Sequence, residues 1–197
     1  GLLGDSYFSV HISPFVYVTS FIYKQVSAFI SQHFFFAVFM GLSYSLMAIA
    51  GYSVMRHRSN STSGNLLIAI LAACLSLNGV FLASIGFPHF EIIIPSLILL
   101  VLALYSCGHS FSAIAAFIFL LLVREDAGLH AALLFTIFSI LYFFQEQKLK
   151  IWPLAFSAIG LVYGFTVIAL QKIYLNDDDA FARIYSGVPF YEHLTLQ

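Results

Sequence analysis

The stretch that runs from Ile92-Ile93-Ile94-Pro95 to Leu120-Leu121-Leu122-Val123 decides how this chain folds. It is broken at Ser106-Cys107-Gly108-His109-Ser110 and closed by Arg124-Glu125-Asp126. As one unbroken helix it would be about 48 Å long at 1.5 Å per residue, against a hydrocarbon core of about 30 Å. A span of that length needs steep tilt. The break predicts two short helices, Glu91–Tyr105 and Phe111–Val123, joined by a turn at Cys107-Gly108-His109. Each would be near 22 Å long, so its outer end should lie sunken below the membrane surface.

Composition supports a lipid solvent for the rest. The 197 residues are 61% hydrophobic and only 9% charged, where a soluble domain carries about 25% charged residues. A chain so apolar cannot cover itself with polar surface in water. Net charge is −1 and the sequence pI is near 6.7, which excludes the basic footprint of a nucleic-acid binder. Cys74 and Cys107 fall in or beside apolar runs, so packing and not a disulfide framework is expected of them. The chain opens at Gly1 with a polar-flanked loop and lacks the basic start of a signal peptide. It is expected to be a fragment with a span upstream.

Further spans are predicted at Gln32–Met55, Leu66–Ile85, Ala127–Phe144 and Trp152–Leu170, each near the roughly 20 residues that crossing requires. Pro14–Tyr23 is apolar but short, and predicts a re-entrant or interfacial helix or the lower part of another span. The fold class expected is an all-α polytopic helix bundle of about six spans plus a short N-terminal helix. It should occupy residues 1–170, with 171–197 as an extracytoplasmic tail or the start of a loop. Orientation follows from basic residues: Arg56-His57-Arg58 and Lys148 with Lys150 both read as cytoplasmic loops. Counting crossings, these loops share a side only if the interrupted stretch is a hairpin. The acidic run Asn176-Asp177-Asp178-Asp179 is then external, and reads as a solvated loop.

Three charged or imidazole-bearing clusters fall on that outer side. They are Asp5 with His11-Ile12-Ser13-Pro14, Phe87-Pro88-His89-Phe90-Glu91 ahead of Pro95, and Arg124-Glu125-Asp126 with His130 four residues on. Ionisable groups at a membrane-embedded helix end are costly unless paired or turned to a wet cavity. For Arg124-Glu125-Asp126 alone, a structural ion pair at a helix start is an equal alternative, since carboxylates suit that end of the helix dipole. Four of the nine acidic residues sit in these clusters. Together with His11, His89, His130 and Arg124 they predict one outward cavity offering general bases, hydrogen-bond donors and a guanidinium for phosphate. His33, His57 and His109 read as structural or solvated. No His-Glu-x-x-His, paired Cys-x-x-Cys or Gly-rich phosphate loop is present, and Gly108-His109-Ser110-Phe111-Ser112 lacks the second glycine of a nucleophile elbow.

The clusters in this order resemble an uncharacterised family of prokaryotic membrane proteins, domain-of-unknown-function family 2079, grouped with the GT-C glycosyltransferases. The match is carried by His11-x-Ser13-Pro14, by Gln32 opening the long span to Arg56, by Phe87-x-His89-x-Glu91 with Pro95, and by Arg124-Glu125-Asp126. It covers Ser6 to Leu170. The resemblance implies a GT-C-like fold in a prokaryotic cytoplasmic membrane, with the active site facing outside and a lipid-linked (polyprenyl-phosphate) sugar as donor. Glu125, Asp126 and Asp5 would be catalytic, and His11, His89, Glu91, Arg124 and His130 would bind substrate. In enzymes of that class a key acidic residue lies in the first external loop, which the resemblance places ahead of Gly1, with Asp5 late in the same loop. No metal ligands are assigned and the cofactor is unknown, with a divalent cation left open. Two alternatives stand beside this one: an ion-coupled transporter using the same groups for protons or cations, and a non-catalytic membrane scaffold.

Overall fold

The computed structural model describes residues 13–58, 65–76 and 93–175, and all regular structure among them is helical. Seven helices follow in order: α1 (Pro14–Val26), α2 (Gln32–Arg58), α3 (Asn65–Ser76), α4 (Ile93–Ser106), α5 (Ser110–Leu121), α6 (Ala127–Glu146) and α7 (Ile151–Leu175). Three segments are long and apolar enough to cross a membrane: Gln32–His57, Ala127–Glu146 and Ile151–Leu170. These helices carry large apolar side chains outward as well as inward. Phe34, Leu42 and Ile49 are exposed on α2, Ile137, Leu141 and Phe144 on α6, and Val162 and Phe165 on α7. In water that surface would drive aggregation. It is what lipid solvation requires, and the chain is an integral membrane protein by this measure.

The described helices divide into two compact units, one from Pro14 to Ala127 and one from Gly128 onward. In the first, α2 packs against both α3 and α4, and α4 packs against α5. The expected hairpin is present. α4 has 14 residues and α5 has 12, about 21 and 18 Å long, so each is shorter than a membrane core. α4 ends in a Schellman turn: Gly108 N–H donates to the Tyr105 carbonyl at 3.0 Å and His109 N–H to the Leu104 carbonyl at 2.8 Å. Gly108 takes φ +84° there, a conformation that a Cβ penalises by about 1–2 kcal/mol. Nothing lies within 4 Å of the place its Cβ would occupy, so backbone strain alone opposes a side chain. Gly108→Val should therefore lower stability in detergent by at least about 1–2 kcal/mol, whereas Ser110→Ala should leave it nearly unchanged.

The segment Pro14–Tyr23 is α1, and it runs antiparallel to α2. The Tyr23 ring lies 5.3 Å from Phe35 and the Phe15 ring 5.8 Å from Phe39. Ser31 caps the start of α2, its hydroxyl accepting from Phe34 N–H at 3.3 Å. The first turn of α1 is tied to the end of α5, where Phe15 N–H donates to the Leu122 carbonyl at 3.0 Å. Phe15 also meets Phe119 edge-on at 5.3 Å. The end of α5 is thus joined, through Phe15, to the part of α2 around Phe39. Ser96 joins α4 to α2 by donating to the Ser43 carbonyl at 2.8 Å. Of the predicted span Leu66–Ile85, α3 accounts for the part up to Ser76, and the rest lies outside the described residues.

The second unit is built on α6 (from Gly128) and α7. Gly128 and Gly160 face each other so closely that a Cβ on Gly160 would stand 2.6 Å from the Gly128 carbonyl oxygen. Small residues four apart, Gly128 with Ala132 and Gly160 with Gly164, let the backbones approach, as at many membrane helix pairs. One turn further on, Thr136 and Ser157 hydroxyls hydrogen-bond at 2.7 Å, and Ser157 also donates to the Ala132 carbonyl at 3.0 Å. Past these, Phe135, Trp152 and Phe156 form an aromatic cluster, with Phe135 and Phe156 centroids 5.4 Å apart. Lys150 closes the hairpin over the Tyr142 ring at 4.1 Å. Intramembrane hydroxyl bonds average about 0.6 kcal/mol and reach about 1.7. Ser157→Ala should cost an amount in that range, measurable by unfolding in mixed micelles.

Candidate functional site

The charged triplet Arg124-Glu125-Asp126 occupies the short non-helical link between α5 and α6. The chain leaves α5 through tight turns, with Leu122 N–H reaching the Ile118 and Phe119 carbonyls and Val123 N–H the Leu120 carbonyl. The link closes where Ala127 N–H donates to the Arg124 carbonyl at 3.1 Å. In this fold the Arg124 guanidinium turns back between both carboxylates. Its Nε lies 3.6 Å from Glu125 Oε1 and 3.3 Å from Asp126 Oδ1.

Burial separates the two acids. Glu125 is 0% exposed and Asp126 7%. The Arg124 side chain is 15% exposed. Removing a carboxylate from water costs several kcal/mol, and the Arg124 guanidinium set against both acids offsets part of that cost. A helix start could be capped by a single serine or aspartate at far lower cost. Chemically, the triplet provides two buried carboxylates, Glu125 and Asp126, of which Asp126 keeps the larger exposure, with a cation held between them.

The remaining candidates are placed as follows. His130 is exposed on α6, in the second compact unit. Asp5, His11, His89 and Glu91 lie outside the described residues, as does the acidic run 176–179. His33, His57 and His109 are exposed, His109 at the turn between α4 and α5. Among the described residues no group of three or more His, Cys, Asp or Glu side chains could hold a metal ion. The expectation of packing roles for the cysteines is corrected: Cys74 and Cys107 are free and both are exposed. An outward thiol behaves as a small apolar group, and on a surface bathed in lipid it carries no penalty.

A groove of about 320 Å³ runs along the seam of α1 and α2, floored by Phe15, Ile93 and Phe119. The apolar side chains that line it gave no signal in the sequence, because in a span an inward leucine and a lipid-facing one look alike. Compared with known proteins, the chain matches no family model, no curated protein and no solved structure.

Proposed function

We propose that the protein is a GT-C-like membrane glycosyltransferase of about six spans, moving a sugar from a polyprenyl-phosphate donor to an acceptor on the outer side of a prokaryotic cytoplasmic membrane. The observation that carries this is the buried triplet: two carboxylates and one guanidinium set together at the end of a short helix, in a chain with only 9% charged residues.

Depth favours an enzyme over a carrier. With Arg56 at the inner boundary, about 30 Å measured up α2 at 1.5 Å per residue ends near Phe36. The end of α5 is bonded to Phe15, whose ring meets Phe39, in the outer half of α2 on this scale. Carrier sites sit near the bilayer midplane, which on this scale lies near Leu46. A catalytic group serving a lipid-linked donor and a water-borne acceptor belongs at the outer boundary.

The chemistry is an inverting displacement at the anomeric carbon. The acceptor hydroxyl forms the new C–O bond as Asp126 takes its proton, and the bond from the sugar to the polyprenyl phosphate breaks with its electron pair leaving on phosphate. As Asp126 gains the proton the triplet passes from net −1 to neutral, while negative charge grows on the leaving group. Arg124, positioned by Glu125, then holds a cation where that charge appears.

The test is transfer of radiolabelled sugar by the full-length protein in membranes, from a panel of polyprenyl-phosphate sugars. Transfer from at least one donor is expected. Absence of transfer across a broad panel would sink the proposal.

A further inference from the structure

We infer that the first turn of α1 positions the charged triplet: Phe15, through its backbone N–H and its ring, holds the α5–α6 link in the shape that sets Arg124 against Glu125 and Asp126. The triplet's role rests on the transferase proposal, whereas the contacts that hold it do not. α5 ends at Leu121 and α6 starts at Ala127, so Leu122, Val123 and the triplet make up the whole link. Adjacency in the chain brings Arg124 near both acids. It does not fix one Nε at 3.6 Å from Glu125 Oε1 and 3.3 Å from Asp126 Oδ1. That geometry depends on the backbone of the link.

At Leu122 that backbone is held from outside its own two helices. Leu122 keeps helical angles, φ −76° and ψ −10°, so its carbonyl points on past the end of α5, among the acceptors that a helix leaves without an intrahelical partner. Phe15 stands at the opposite kind of end. It is the second residue of α1, where N–H groups lack intrahelical acceptors. The bond from Phe15 N–H to the Leu122 carbonyl, 3.0 Å long, gives each a partner. It also sets the positive end of one helix dipole on the negative end of another. Because a peptide unit is planar, the same bond fixes the Leu122–Val123 peptide that leads into Arg124. On the far side, Ala127 N–H donates to the Arg124 carbonyl at 3.1 Å. The triplet is thus clamped between a bond from α1 and a bond from the first residue of α6.

The ring keeps that bond in register. Phe15 is buried, and its ring meets Phe119 of α5 edge-on at 5.3 Å and Phe39 of α2 at 5.8 Å. Leu122 N–H in turn reaches the Phe119 carbonyl, so the ring and the N–H of one residue grip the same last turn of α5. Sliding α1 along α5 would break both contacts together. Phe15 acts on the triplet through Leu122, which makes it a positioning residue and not a catalytic one. Misplacing a catalytic group by about 1 Å can cost on the order of a hundredfold in rate, so a clamp of this kind has a measurable consequence.

The experiment uses the full-length protein in membranes and separates the two contacts. Replacing Phe15 by its α-hydroxy acid, phenyllactate, through nonsense suppression keeps the ring and turns the donating N–H into an ester oxygen. Phe15→Ala keeps the N–H and removes the ring. Each should lower kcat for sugar transfer about tenfold to a hundredfold, with KM for donor and acceptor little changed. Phe15→Leu should recover most of what Phe15→Ala loses, since it refills much of the buried volume. The second readout needs no turnover. With the exposed Cys74 and Cys107 removed as Cys74→Ala and Cys107→Ser, an Asp126→Cys thiol is challenged with a membrane-impermeant methanethiosulfonate. Either Phe15 change should speed its labelling about fivefold or more, the scale of one lost hydrogen bond. Ser157→Ala, which loosens α6 against α7, should alter neither labelling nor kcat. Labelling and kcat unmoved by both Phe15 changes would overturn the inference, as would an equal rise in labelling with Ser157→Ala. A loss confined to KM would also overturn it, making Phe15 a substrate contact. Faster labelling with kcat unaltered would keep the clamp and remove the triplet from the reaction. In a protein that transfers no sugar, the labelling rates decide alone.

Discussion

Asp126→Asn is expected to lower sugar transfer by about 10²–10⁴-fold, the range for loss of a general base, with the melting temperature held or raised. At about 1.36 kcal/mol per tenfold this corresponds to roughly 3–5 kcal/mol of barrier. The substitution keeps the volume and removes one negative charge from a triplet of net −1, leaving Arg124 paired with Glu125. The side chain keeps its shape and the Arg124–Glu125 pair stays in place, so the fold has little reason to weaken. Glu125→Gln also neutralises the triplet, but Glu125 is fully buried while Asp126 keeps 7% exposure, so an acceptor reaches Asp126 first. A smaller loss is expected from Glu125→Gln, because Arg124 loses one of the two groups that fix it. Measuring transfer and thermal stability of both variants side by side decides the matter. If Asp126→Asn transfers sugar like the wild type, the triplet is a structural ion pair and the base lies elsewhere.

The hairpin of α4 and α5 was legible because a glycine flanked by polar residues cannot sit unmarked in an apolar run, and the positive φ of Gly108 is the physical content of that signal. The start of α2 was legible at Gln32 and its end at Met55 to within three residues. Nothing in periodicity, however, says that the first turn of α1 bonds to Leu122. That contact ties the first turn of α1 to the end of α5, two residues before Arg124. At the site, the proximity of Arg124 to its two neighbours follows from adjacency in the chain. That both acids are buried, Glu125 fully, is not readable from adjacency. Gly128, Ala132, Gly160 and Gly164 carried a readable small-residue spacing, overlooked because every face of these helices is apolar and no stripe points to the partner.

That spacing leads to the other large effect: Gly160→Leu should separate α6 from α7 and destabilise the protein by about 3 kcal/mol or more, at or beyond the usual range for overpacking. The added Cβ would stand 2.6 Å from the Gly128 carbonyl oxygen and 3.3 Å from Ala132 N. Both are backbone atoms of a helix, and neither can rotate away. Relief requires the two helices to part, which stretches the Thr136–Ser157 bond now at 2.7 Å and the Ser157 bond to Ala132 at 3.0 Å. Gly164 provides the control. Its Cβ would first meet Leu129 side-chain atoms at 2.8 Å, which can change rotamer, so Gly164→Ala should cost less than Gly160→Ala. Reversible unfolding of each variant in mixed micelles measures the order. If Gly164→Ala proved as damaging as Gly160→Ala, the close backbone approach at Gly128 would not be what holds α6 and α7 together. Lipid around the hairpin makes this contact matter more than in water. With hydrocarbon on both sides there is no hydrophobic force to press the helices together, so close packing and a pair of hydroxyl bonds must do it.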